Sequence, residues 1–182
     1  MTPWHVKLAL AVVLQTLVLM GMIVGRQHTL STGTEVKLRM QPIDPRSLFR
    51  GDYVILSYDI TRIPRRLISG AGPLHHGKVI YAVVKKKDHY WSFVSAHRMR
   101  PQAPKDHVVI KGRIKFLQPT GGPAHIGYGI ESYFIPEGEG RDLERPKPGE
   151  ELSVLVAVDR WGNAAIKALL VDGVPRYAET LF

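Results

Sequence analysis

The sequence predicts a mainly β protein: a compact antiparallel β-barrel or sandwich of about seven or eight strands, preceded by one N-terminal transmembrane helix. Three observations lead there. The eighteen residues from Leu8 to Gly25 carry no charge. Beyond them, short β-branched and aromatic runs alternate with period two between turns rich in Gly and Pro. Outside the apolar run, the helical candidates are one-turn pieces.

Composition sets the outer bounds. A chain of 182 residues with 45% hydrophobic content suits one domain plus an appendage. There is no cysteine, which excludes a disulfide framework, a thiolate metal site and a lipid anchor on an N-terminal cysteine. The formal charge of +9, from 25 Lys and Arg against 16 Asp and Glu, favours anionic neighbours. Lipid headgroups, envelope polymers and nucleic acid all qualify on charge alone.

Topology chooses among them. As a helix, Leu8 to Gly25 would cover roughly 27 Å, close to the hydrocarbon thickness of a bilayer. A cleaved secretory signal is the competing reading, but its apolar region runs about 7 to 15 residues before a pair of small residues. This run is longer, and the pairs behind it, Ile23 and Gly25 or Ser31 and Gly33, are poor. Apolar residues on every face argue against a half-buried core helix. Gln15 and Thr16 are the polar side chains in mid-span, and Gly21 and Gly25 have the spacing that admits close helix approach. The amino terminus and Lys7 precede the run and Arg26 follows it, so the positive-inside bias places the N-terminus in the cytoplasm. The expected division is an anchor and hinge over residues 1–30 and a periplasmic or otherwise extracytoplasmic β domain over 31–182. That placement argues against nucleic acid as a partner.

After the polar "RQHTLSTGTE", read as a hinge, the strands follow in order. "EVKLRMQ", Glu35 to Gln41, sets Val36, Leu38 and Met40 against Lys37 and Arg39. "DYVILSYDI", Asp52 to Ile60, reads as one strand whose inner face is Val54, Leu56, Tyr58 and Ile60. "KVIYAVVKKKDHYWSFVSAH", Lys78 to His97, reads as a hairpin with a basic tip. "HVVIKGRIKFL", His107 to Leu117, is a strand in which Gly112 suggests a bulge or bend. "HIGYGIESYFI", His125 to Ile135, is another. "LSVLVAVDRWGNAAIKALLVDG" reads as two strands around "DRWGN", where Gly162 and Asn163 suit positive φ. "DPRSLFRG", with Asp44 as N-cap and Pro45 in the first turn, and "GRDLERP" are the one-turn helical candidates, while "AAIKALL" has helix-forming composition but reads as strand from its place after a turn and before "VDG".

The segment "FRGDYVILSY", Phe49 to Tyr58, contains an Arg-Gly-Asp tripeptide, but it runs straight into a strand with an apolar inner face rather than sitting at a loop tip. Gly51 permits a tight approach to the strand, and the Asp52 carboxylate can accept backbone N–H groups at the turn. Tyr53 and Tyr58, five apart, point to opposite faces of an unbroken strand.

"GDYVILSY" resembles the pattern of the GDYXXLXY family of bacterial membrane-anchored proteins, with Gly51, Asp52, Tyr53, Leu56 and Tyr58 at its fixed positions. "PIDPRSLFR", Pro42 to Arg50, and "YGIESYFIPEGEGRDLE", Tyr128 to Glu144, are similar to further segments of that family. The resemblance implies a single N-terminal membrane segment, a β-rich extracytoplasmic domain and often a multi-pass membrane protein as encoded neighbour. It implies no catalytic residue.

The densest polar cluster is Glu131, Glu137, Glu139, Arg141, Asp142 and Glu144. Glu131 and Glu137 converging with Arg46 or Arg141 would make a recognition site, since arginine binds carboxylates in bidentate fashion. The same residues would equally form an ion-pair network that pins a long loop. A glycosidase-like carboxylate pair needs a cleft and a set separation that sequence does not show. No nucleophile elbow or HExxH motif is present. His75 and His76 stand in a Gly and Pro loop without metal-ligand spacing, so neither a metal nor a cofactor is expected. Lys85, Lys86 and Lys87 form a solvated tip or touch anionic headgroups. The expectation is an envelope accessory protein, anchored in membrane lipid, that docks on a multi-pass membrane partner. An envelope hydrolase and an anionic lipid or polymer binding module are the alternatives.

Overall fold

A computed structural model describes residues 3–41, 53–118, 121–134 and 149–178, with backbone alone for 53–55 and 134. Helix α1 runs from Trp4 to Thr32, about 43 Å at the usual rise. No proline interrupts it, and its apolar side chains from Trp4 to Val24 are exposed around the whole circumference.

The helix does not stop where the apolar run stops. Arg26 to Thr32, expected as a hinge, is helical, and Thr29 and Leu30 are buried against the β domain. Termination comes at Gly33, whose N–H donates to the Thr29 carbonyl at 2.9 Å. A Cβ on Gly33 would lie 2.5 Å from that carbonyl oxygen and 2.9 Å from the Val158 nitrogen. Glycine is the residue that fits where helix becomes strand with no linker between them.

Strand β1, Thr34–Gln41, follows at once. It pairs antiparallel with β11, Leu152–Val158, from Thr34 opposite Val158 to Arg39 opposite Ser153. Beyond β11 lie β12, Ala164–Val171, and β13, Val174–Ala178, and on the other flank of β1 lies β3, Ser57–Tyr58. A second sheet contains β4 (Arg62–Ile63), β5 (Ile68–Ser69), β6 (Val79–Lys87), β7 (Tyr90–His97), β8 (His107–Leu117) and β9 (Ala124–Gly127), in the order β4-β9-β8-β6-β7-β5. A two-stranded ladder joins β2, Tyr53–Ile55, to β10, Ser132–Phe134.

The sheets wrap around one core as a nearly closed barrel-like arrangement. Alternation places Val36 and Leu38 of β1, Val154 and Val156 of β11, and Ile80, Ala82 and Val84 of β6 inside. Ile110 and Ile114 of β8 and Ile126 of β9 meet them. The frame is the six strands of seven to eleven residues, β1, β6, β7, β8, β11 and β12. "AAIKALL" is strand, and the β6–β7 hairpin turns at Asp88 and His89, with Asp88 at φ 56°.

Two expected strands are each divided. The segment through the motif is β2, then a break at Leu56, then β3, then a 3-10 turn over Asp59–Thr61. It changes partner at the break, from β10 to β1. The segment from His125 likewise breaks over Tyr128–Glu131, where Gly129 takes φ 81°, before resuming as β10. Gly112 makes neither bulge nor bend. It pairs in register with Ile80, and the irregularity of β8 falls between Ile114 and Phe116. At the β11–β12 turn Gly162 has φ 89° and Asn163 does not adopt positive φ.

Candidate functional site

The motif segment and "YGIES" meet at the two breaks. The Leu56 N–H donates to the Glu131 carbonyl at 2.8 Å, continuing the β2–β10 ladder through the interruption. The Tyr58 hydroxyl donates to the Ile130 carbonyl at 2.7 Å, and the Tyr128 hydroxyl returns to the Ile60 carbonyl at 2.9 Å. Each chain segment thus offers one tyrosine and one carbonyl to the other. Leu56, Tyr58, Ile60, Tyr128 and Ile130 are all buried, so these bonds form where water cannot replace them.

Space for the Tyr128 ring comes from Gly112, where a Cβ would lie 2.8 Å from the ring and 2.5 Å from Ile126 Cγ2. Burial, then the nearby Glu131 charge, pushes both the Tyr58 and Tyr128 phenols well above their ordinary value. Both stay neutral and remain donors. Glu131 closes its own turn: one carboxylate oxygen accepts the Tyr128 N–H, the other the Gly129 N–H at 3.1 Å. That carboxylate is therefore committed to backbone.

Of the residues singled out from sequence, the structure brings Leu56, Tyr58, Glu131 and the backbone of Tyr53 together, the last opposite Phe134. Arg46, Gly51, Asp52, Glu137 and Arg141 lie outside the described residues. Lys85 pairs with Asp106 at 3.0 Å beside His107, and these partners hold the Asp106 carboxyl below its usual range. His75 and His76 are exposed in their loop. Among the described residues no group of three His, Asp or Glu side chains could hold a metal ion.

A second constellation, missed from sequence, lies where α1 meets the β11–β12 turn. Asp159 Oδ1 accepts the N–H groups of Trp161 at 2.8 Å and Asn163 at 2.9 Å, and Oδ2 accepts the Asn163 side-chain amide at 2.8 Å. The Thr29 hydroxyl completes the set from 130 residues away, at 3.2 Å. Burial by itself would raise the Asp159 pKa. The bonds from Asn163, Trp161 and Thr29 outweigh it and leave the carboxyl below its usual range. The signal available in sequence was an Asp opening a five-residue turn, the position from which a carboxylate captures backbone amides.

An open groove of about 740 Å³ runs beside this junction, lined by Thr32, Thr34, Arg100, His107, Val158 and Arg160 among others. Further along β1, Lys37 Nζ and Arg39 Cζ lie 4.9 Å and 4.8 Å from the ring centre of Tyr90 on the β6–β7 hairpin.

The architecture defines a class of protein: a β-rich domain continuous with one N-terminal apolar helix, its strand-switching segment braced by reciprocal tyrosine bonds. The chain belongs to the GDYXXLXY family, whose model, described as GDYXXLXY protein, matches residues 15–169. No curated protein and no solved structure matched the chain.

Proposed function

We propose that the protein is a single-pass envelope accessory protein, with its N-terminus in the cytoplasm and its β domain on the outer side of the membrane, that docks on a multi-pass membrane partner. The observation that carries this reading is the helix. Its Trp4 to Val24 apolar side chains are uncovered on every face, while Thr29 and Leu30 near its end are buried against the β domain. A hydrocarbon layer is the solvent that such a surface fits.

Docking rests on two further features. Gly21 and Gly25 face open space, with nothing within 4 Å of a Cβ on either, so a neighbouring helix can approach the backbone there. Tyr58, Tyr128, Glu131 and Asp159 hold the fold together through their side-chain bonds, which suits a protein that presents a surface. The test is protease added to spheroplasts, followed by extraction in mild detergent and affinity purification. Cleavage of the β domain in intact spheroplasts and recovery of one multi-pass protein, lost in Gly21→Leu and Gly25→Leu variants, are expected. Protection in intact spheroplasts overturns the orientation, and repeated recovery of the chain alone overturns the docking.

A further inference from the structure

The junction carries a surface that bracing does not account for. The Arg160 guanidinium lies 4.1 Å over the Trp161 ring, and Arg100 reaches from the 98–106 connection to donate to the Arg160 carbonyl. Trp161 keeps 47% of its surface exposed. Met99, beside Arg100 in the chain, is 83% exposed, the most of any large apolar residue of the described β domain.

The turn that carries Arg160 and Trp161 is fixed to the end of the helix. Asp159 holds Thr29, and the Trp161 and His28 rings lie 6.5 Å apart. His28 stands three residues past Gly25, about 5 Å along the axis from the end of the apolar run. If Leu8 to Gly25 fills the hydrocarbon, that height is the headgroup layer. Tryptophan settles there because its ring is apolar and its N–H is wet, and arginine because it pairs with phosphate. Charge is complementary, since the carboxylates beside the patch are engaged: Asp159 by the turn, Asp106 by Lys85 and His107.

We propose that Arg160, Trp161 and Arg100 bind anionic phospholipid headgroups and seat the β domain on the bilayer surface. This rests on the membrane-spanning reading of α1. It moves the lipid contact from the lysine-rich hairpin tip to the base of the helix.

The test uses full-length protein in vesicles of phosphatidylcholine, with or without phosphatidylglycerol, containing a lipid spin-labelled at the headgroup. Comparing Trp4→Phe with Trp4→Phe/Trp161→Phe isolates the Trp161 emission. Quenching of that emission is expected in phosphatidylglycerol vesicles at about 0.1 M salt, falling at about 1 M. Arg160→Gln and Arg100→Gln should each weaken the contact about fivefold. Carbonate-resistant protein whose Trp161 is unquenched, or quenched equally in all lipids, salts and variants, overturns the headgroup contact alone. Protein stripped from the vesicles by alkaline carbonate overturns the spanning helix and the contact with it.

Discussion

Replacing Asp159 by alanine should destabilise the β11–β12 turn and loosen its hold on the helix. The substitution removes an acceptor of four hydrogen bonds, at 2.8, 2.9, 2.8 and 3.2 Å. The Trp161 and Asn163 amides can turn to water in part, because the turn is only partly buried, and Thr29 keeps a second acceptor in the Gly25 carbonyl at 3.2 Å. Two effective charge-assisted bonds at about 1.5 kcal/mol each give a loss of about 3 kcal/mol. For a domain of this size that lowers Tm by about 6 to 12 °C. Asp159→Asn, which keeps an oxygen for two backbone donors but sets amide against amide at Asn163, should lose about half as much. The folded-state pKa is depressed, so the contribution is complete above the unfolded carboxylate value near pH 4 and is lost as pH falls through the lower folded value. Thermal melts of the detergent-solubilised chain, followed by circular dichroism at neutral pH and near pH 3, make the measurement. A variant within about 2 °C of native at neutral pH, or a deficit that does not shrink in acid, refutes the argument.

The tyrosine brace gives a second measurement. Tyr58→Phe and Tyr128→Phe each strand a buried carbonyl and should cost about 1 to 2 kcal/mol, and a double-mutant cycle in denaturant should show coupling between them. Both phenols are pushed up by burial, so stability is intact below about pH 10 and falls above it as the unfolded chain ionises first. Absorbance at tyrosinate wavelengths should therefore rise with unfolding, and less so in the Phe variants. Gly112→Ala drives a methyl into Tyr128 and Ile126 and should destabilise by about 1 to 3 kcal/mol in the same melts. Gly33→Val should disrupt the helix-to-strand connection, seen as new protease cleavage between α1 and β1. Leu17→Lys places a charge at mid-span at a cost of about 3 kcal/mol, and membrane fractionation should show less inserted protein.

Much of the fold is legible in local pattern. Val36 and Leu38 alternate with charged residues, the β6–β7 hairpin follows from β-branched and aromatic runs, and β12, of helix-forming composition, follows from its place after one turn and before "VDG". The two strand breaks are not, because alternation tells which face a side chain takes and not which neighbour its backbone pairs with. Leu56 continues the inward sequence Leu56, Tyr58, Ile60 while the hydrogen-bonding partner changes beside it. The helical state of Arg26 to Thr32 was hidden for a related reason. Its composition is that of a solvated hinge, and its order comes from Leu30 packing and from Asp159, 130 residues distant from Thr29. Tyr58 was visible as part of a motif, whereas Tyr128 acquires its role only once the fold places it over Gly112.

The absence of any joint between α1 and β1 turns the whole chain into a tiller. A transmembrane helix commonly tilts by about 20°, and a body of roughly 150 residues spans about 35 Å. The far rim of the globule would then swing by about 12 Å for that tilt. With α1 in a bilayer, as proposed, whatever grips the helix there would steer the face shown to everything outside it.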